Sequence, residues 1–255
     1  MIRFRPHSVG ALMTCPQSMD LSLLDEVERE IYAKKKRTDE EKAMVEEFWL
    51  RGLSKGAITH LTQYAKEMLY GYYKQISSKE MDKGIQCEQD SIDLYNRVHF
   101  TRHKKHVGRV SNEILSGECD ILVPGEWTKD VKTSWNLDTF PVLSSDCHDA
   151  TYEWQGRAYM HLYDTKRHKV AFCLVDTPDD LIPRWEQQEL HKVEHIAPAM
   201  RVTSIIYERC PILEKRLIDK CRAGQEYLNK VVAQIRADHG IEADEIKADF
   251  VKAVT

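Results

Sequence analysis

The sequence predicts a three-layer α/β domain preceded by a helical extension. Two observations lead to this reading. The first 80 residues read mainly as helices, and from about residue 105 short β-like runs alternate with helical stretches. Size is a third: 255 residues fit one large unit with an appendage, and 42% hydrophobic with 9% aromatic residues can build its core. We expect one unit over 1–255, with a mainly helical part at 1–80, a core at 84–236 and a flexible tail at 237–255.

The elements follow in chain order. Around 20–33, LSLLDEVEREIYA carries apolar residues at helical spacing. Lys34, Lys35, Lys36 and Arg37 then form a connector, read either as a solvated linker or as a DNA contact. Thr38 or Asp39 caps a helix through Trp49, and a tyrosine-rich helix runs over 56–76. Gly84 to Val98 reads as one helix with Ile85, Ile92 and Tyr95 on a single face. Glu88 falls on that same inward face, where a carboxylate needs an ion-pair partner, a proton or a bound cation. HVGRVSNEIL, SGECDILVP and, after the Pro124-Gly125 turn, WTKDVKTSW predict a meander of three strands over 105–135. Residues 138–150 form a loop, TYEWQGRAYMHLYD a helix, and HKVAFCLVDTP a central strand because its apolar run is nearly continuous. DDLIPRWEQQELHK reads as a helix broken near Pro183, and RVTSIIYER alternates like an edge strand. Pro211 opens a long final helix, and the last fifteen residues are charged, suited to fraying or to docking on a partner.

Charge narrows the function classes. Thirty-seven Lys and Arg against 41 Asp and Glu give a net charge of −4, which excludes a partner chosen by global positive charge. A nucleic-acid site must then be local. The best patch is His99, His103 and His106 among Arg97, Arg102, Lys104, Lys105 and Arg109, with no acid between 97 and 109. It either tracks DNA phosphates or forms a solvated hairpin edge. No apolar run reaches the roughly 18 residues of a membrane span, and MIRFRPHSVG lacks the apolar stretch of a signal peptide, so a cytoplasmic protein is expected. The seven cysteines are scattered without a C-x-x-C, which argues for small buried thiols rather than a disulfide framework or structural zinc. His148 and His161 read as packed or capping residues. Trp127, Trp135, Trp154 and Trp185 read as core, although Trp135 follows the strand of interest closely enough to line a channel.

That strand carries the chemistry. Asp120 lies in the second strand of the expected meander and Asp130 in the third, about 5 Å away across a tight turn. Lys132, two residues after Asp130, shares its face. Two acids and an ammonium on one surface form either a surface ion pair or a metal site with a lysine beside it. The apolar neighbours Ile121, Leu122, Val123 and Val131 point to a buried sheet, and Glu88 offers a third acid. Hard cations such as Mg²⁺ take such oxygen ligands.

These residues resemble the PD-(D/E)XK nucleases. The matching pattern is G-x-x-D at Gly117–Asp120, a hairpin turn, then Asp130-Val131-Lys132, with Cys119 where the family has proline. Upstream Glu88 resembles the acid that precedes this core in the exonuclease branch, and Gln155-x-x-x-Tyr159 its Q-x-x-x-Y helix. Ser8 with Cys15-Pro16 looks like that branch's opening helix. The series is most similar to phage recombination exonucleases of the lambda type. Iron–sulfur relatives are disfavoured, because their clustered C-terminal cysteines are missing.

The resemblance implies a restriction-endonuclease-like core with a central mixed sheet flanked by helices. It implies two Mg²⁺ or Mn²⁺ ions held by Asp120, Asp130, the Val131 carbonyl and Glu88, with Lys132 activating water and Gln155 orienting water or phosphate. DNA contacts would come from Ser8, Arg3, Arg5, Tyr159, Arg102, Lys104, Lys105 and Arg109. The implied activity is 5′–3′ exonucleolysis of double-stranded DNA by a homotrimer, with a single-strand annealing protein as partner, in a phage or prophage recombination system within a bacterial host. An endonuclease on the same core, or a DNA-binding module that has lost cleavage, is the alternative.

Overall fold

The computed structural model describes residues 2–14, 19, 21, 24–72 and 77–240. Cys15-Pro16 and the tail from 241 onward lie outside them, as do 20, 22–23 and 73–76 at the ends of two expected helices.

The helical extension comprises α1 (Gly10–Met13), α2 (Glu26–Ala33), α3 (Asp39–Arg51) and α4 (Lys55–Tyr70). Capping boxes start α2 and α3, pairing Asp25 with Glu28 and Thr38 with Glu41, so orphan N–H donors are satisfied at each start. The basic connector joins α2 to α3. Lys34 pairs with Glu41 at 2.5 Å, and the Arg37 guanidinium donates to the Ile31 and Tyr32 carbonyls.

The helix expected over 84–98 is two: α5 (Lys79–Gln86) and α6 (Glu88–His99), broken at Cys87. The break resets the inward face, so Ile85 is 75% exposed while Ile92 and Tyr95 are buried. On α5 it is Lys83 that goes inside. Its ammonium donates to the carbonyls of Ser134, Trp135 and Val175, each at 2.8 Å, which fills all three donors. Burial lowers its pKa to about 8, so it remains mostly charged at neutral pH.

The main sheet has the order β3 (Ile121–Val123), β4 (Trp127–Thr133), β5 (Arg167–Cys173), β6 (Val202–Glu208). β4 and β5 are parallel, joined through α7 (Ala150–Tyr163), and the outer pairs are antiparallel, so the sheet is mixed. β5 is central and β6 an edge, as expected. The meander is corrected. β1 (Val110–Ser111) and β2 (Ser116–Gly117) form a separate two-stranded ladder. The first run is drawn away by the chain's beginning: Phe4 N–H donates to the Ile114 carbonyl, and Ser116 N–H to that of Phe4.

The helix expected from DDLIPRWEQQELHK is also corrected. That stretch is turns with a 3₁₀ turn at Gln188–Leu190. Besides Pro183, buried polar contacts hold it open. His191 bonds Thr177 through Nδ1 at 2.9 Å and Glu186 through Nε2 at 2.8 Å, and Glu186 accepts from the Trp135 indole at 3.1 Å. Trp185 beside them is 84% exposed rather than core.

Three layers result. α6 covers one sheet face, packing Ile92 and Tyr95 on Ile121, Val131, Ala171 and Cys173. α7 covers the other, with Met160 on Val170 and Tyr207. Outside α7, α8 (Pro211–His239) joins it to the extension through Leu12, Leu61, Leu162, Leu217 and Leu228. At about 1.5–3 kcal/mol for each fully buried leucine, this seam holds the extension firmly. Among the described residues five of the cysteines are buried, Cys210 is half-buried and all six are free. No described helix is long and apolar enough to cross a membrane.

Candidate active site

Alternation along β4 turns Thr128, Asp130 and Lys132 toward α7, and Lys129, Val131 and Thr133 toward α6. Asp120 stands just ahead of β3, whose antiparallel register sets Ile121 opposite Lys129. The Val131 N–H reaches across to donate to Asp120 Oδ2 at 2.7 Å. Asp130 is only 4% exposed, and its Oδ2 faces Lys132 Nζ at 2.6 Å.

The surroundings push the two carboxyl groups in opposite directions. Burial, then the Asp130 charge, raises the Asp120 pKa well above the carboxylate range. At Asp130 burial pushes the same way but is outweighed by the Lys132 ammonium, His168 and the Asp120 hydrogen bond, and the pKa falls. Lys132 is held protonated: burial opposes its charge, and Asp130 outweighs burial. Of the two, Asp120 is therefore the harder to ionise.

On α7, Gln155 and Tyr159 lie one turn apart and both are buried. The Tyr159 hydroxyl donates to the Glu118 carbonyl at 2.7 Å and bonds the Gln155 side chain. Tyr159, expected to touch DNA, is thus inside, fixing the segment that carries Asp120. Gly117 has a physical reason in that segment: a Cβ there would come within 2.6 Å of the Pro6 ring.

His168 on β5 was missed by sequence reasoning. It is fully buried, its Nδ1 bonds Thr128 Oγ1 at 2.9 Å and its Nε2 has no hydrogen-bond partner. Burial lowers its pKa to about 4, so it is neutral beside Asp130. The strand register was the one available signal, since it sets His168 opposite Thr128 on the Asp130 face.

The other expected site residues are half-buried or exposed. Glu88 opens α6, half-buried and ion-paired with Lys105, an ammonium that also feels Asp120. The loop carrying Lys105 is pinned to the site: His106 N–H donates to the Asp120 carbonyl at 2.7 Å. Arg102, Lys104, Lys105 and Arg109 are all exposed on it. Ser8 Oγ donates to the Arg5 carbonyl at 2.9 Å, closing the N-terminal turn; Arg5 is half-buried and Arg3 exposed. Between them and the centre stands His7, whose pKa is lowered by burial and then by Arg5, Lys132 and Arg109. Farther away, Trp135 is packed, while His148 and His161 bond Tyr207 and Glu214 as packing residues.

Among the described residues no three His, Cys, Asp or Glu side chains already converge as a metal cage. The donor set nevertheless fits a divalent cation. Two hard carboxyl groups meet, the Asp130 charge opposes ionisation of Asp120, and Asp130 Oδ2 is buried without a well-aligned hydrogen bond.

No protein-family model and no curated protein matches the sequence. Solved structures do. A phage-related exonuclease from Haemophilus somnus 129PT aligns with a TM-score of 0.75 and 24% identity, over 92% of this chain and 96% of its own. The alkaline exonuclease LHK-Exo from Laribacter hongkongensis aligns at 0.62 with 10% identity, over 93% of each chain. LHK-Exo in complex with dAMP aligns at 0.55 with 13% identity, over 75% of this chain and 89% of that one. This protein has the fold of the phage-related and alkaline exonucleases, the one that its Asp120, Asp130-Val131-Lys132 and Gln155-x-x-x-Tyr159 pattern predicted.

Proposed function

We propose that this protein is a metal-dependent deoxyribonuclease that degrades double-stranded DNA from a 5′ end. The observation that carries the reading is Asp120, held by the Val131 N–H, beside Asp130 and its paired Lys132 ammonium, on a fold met in exonucleases. Asp120, Asp130 and the Val131 carbonyl would hold Mg²⁺ or Mn²⁺, with Glu88 approaching once Lys105 releases it. Bound there, the metal supplies positive charge for the attacking and leaving oxygens of phosphodiester hydrolysis. The chain's own residues do the rest. Lys132, kept protonated, stabilises charge that grows on the phosphate. Gln155 offers its amide to a water or a phosphate oxygen, steadied by the Tyr159 hydroxyl. The exposed Arg102, Lys104, Lys105 and Arg109 guide the duplex, and Arg3, Arg5 and Ser8 are the candidates for gripping a terminal phosphate. LHK-Exo has been captured with dAMP, and for this chain we carry over a mononucleotide product. A homotrimer, an annealing partner and a place in a phage recombination system belong to the same proposal.

The test is cleavage of end-labelled linear duplex. Mononucleotides should appear in Mg²⁺ and vanish with chelator. Equal release in chelator, or no release in Mg²⁺ or Mn²⁺, would overturn the reading.

A further inference from the structure

On the sheet face opposite Asp130, four basic side chains meet without an acid. Lys129 on β4 and Lys169 on β5 are register partners, so two ammonium groups lie side by side. Lys129 is only 7% exposed, and its Nζ stands 2.7 Å from His103 Nε2. Tyr95 of α6 lies beneath both ammonium groups, 5.1 Å from Lys129 Nζ and 5.7 Å from Lys169 Nζ. The His99 ring lies tilted against the same tyrosine with centroids 4.4 Å apart, and its Nε2 is buried with no partner.

The fold builds this arrangement rather than tolerating it at a mobile edge. The Asn96 side chain takes the His103 N–H at 2.9 Å and gives to the His103 carbonyl at 2.8 Å, which fixes the imidazole over Lys129. No carboxylate bonds any of the four among the described residues. Glu126, at the foot of the same strands, is taken by Lys166 and Arg167. The negative end of α6 offsets about half a charge, too little for two lysines. Like charges directly across strands are otherwise destabilising, so an empty cluster costs the fold stability.

We propose that Lys129, Lys169, His99 and His103 form a binding site for a phosphate oxyanion, separate from the Asp120–Asp130 centre. Phosphate supplies several acceptors and up to two negative charges, matching two ammonium groups and an idle imidazole nitrogen. The oxyanion comes either from a free phosphate or phosphomonoester, or from the backbone of a nucleic-acid strand lying on the basic loop above. The inference does not depend on the nuclease reading.

Its test is thermal melting in chelator, where no turnover occurs, at constant ionic strength set with chloride. Inorganic phosphate, a 5′-mononucleotide and a single-stranded oligonucleotide with no terminal phosphate are the three probes. Wild type should melt higher with phosphate and mononucleotide if the source is a monoester, or with the oligonucleotide alone if it is a strand. Lys169→Met should melt higher than wild type without ligand, and bind the effective probe on the order of tenfold more weakly, the loss of one charge-assisted contact. Lys169→Gln gives a second variant should the first fold poorly. No rise with any probe, or equal rises in wild type and both variants, would overturn the site.

Discussion

At Asp120 and Asp130 the folded protein holds two carboxyl groups in one small space and makes Asp120 the harder to ionise. The unfolded chain ionises Asp120 near its ordinary value, so between that value and the raised folded one the native state binds the extra proton, and stability falls as pH rises. Asp120→Asn removes this liability and keeps an oxygen for the Val131 N–H. In chelator its melting temperature should exceed wild type at pH 7–8, by about 2–4 °C for each kcal/mol of repulsion relieved, and the difference should shrink toward pH 4. Cleavage should be lost while DNA binding in Ca²⁺ survives. A variant that melts lower at pH 8 yet still cleaves would mean Asp120 serves the fold. Lys132→Ala makes the complementary case. It should cut turnover about a hundredfold or more, and it should also destabilise, because Asp130 is left buried and uncompensated. Unchanged turnover would reduce Asp130-x-Lys132 to an ion pair. His168 sets the acid limit. Its pKa near 4 lies below the ordinary 6.5, so the unfolded chain takes up the proton first and stability falls as pH drops from 6.5 toward 4. The shift corresponds to about 3 kcal/mol over that window, and His168→Gln should flatten this part of a melting-against-pH curve.

At the scale of elements, the approach of α7 to β5 decides whether Gln155 and Tyr159 reach the site. A Cβ on Gly156 would lie 2.3 Å from the His168 ring, and that ring is buried with nowhere to swing. Gly156→Ala should gain about 1 kcal/mol of helix propensity and lose more to overpacking, typically 1–3 kcal/mol, so the net change is destabilising. Turnover should fall with it as α7 is pushed outward. A more stable, fully active Gly156→Ala protein would mean this contact is slack. Urea unfolding and initial rates measure both. What the sequence revealed, and what it hid, divides along the same line. Local signals placed α3, α7, β5, β6 and α8, because caps, strand alternation and Pro211 act within a few residues. The acids and Lys132 were legible through strand parity and a short turn. Lys83 and His168 were hidden, since their burial depends on carbonyls and ring contacts more than ten residues away. The same holds for Phe4, which captures the 114–116 segment and separates β1–β2 from the main sheet. The open stretch around Glu186 likewise depends on Trp135, fifty-one residues earlier.

For the whole molecule the proposed function turns on how an acidic body would admit DNA. The net charge of −4 repels a polyanion at long range, so the proposed function assigns capture to the basic loop 102–109, where Arg102, Lys104, Lys105 and Arg109 are exposed. Phosphate contacts on that loop release counterions, and affinity should fall steeply with salt. Arg102→Gln with Lys104→Gln should weaken capture on every sequence and make the salt slope shallower by about two, one for each lost contact. The acids and Lys132 could hydrolyse any phosphodiester that reaches them, so dependence on an end must come from the path in. The N-terminal turn at Pro6–Ser8 packs on Gly117, three residues before Asp120, and brings His7 within electrostatic reach of Lys132 and Asp130. We propose that Arg5 and Ser8 on this turn take a free 5′-phosphate, which a covalently closed duplex does not offer. In Mg²⁺, linear duplex with 5′-phosphates should therefore be shortened to mononucleotides and a single strand, and removing the phosphate should slow the reaction. Covalently closed plasmid should stay intact under the same conditions. Prompt linearisation of that plasmid would transfer the proposal to an endonuclease, leaving Asp120, Asp130 and Lys132 in the same roles.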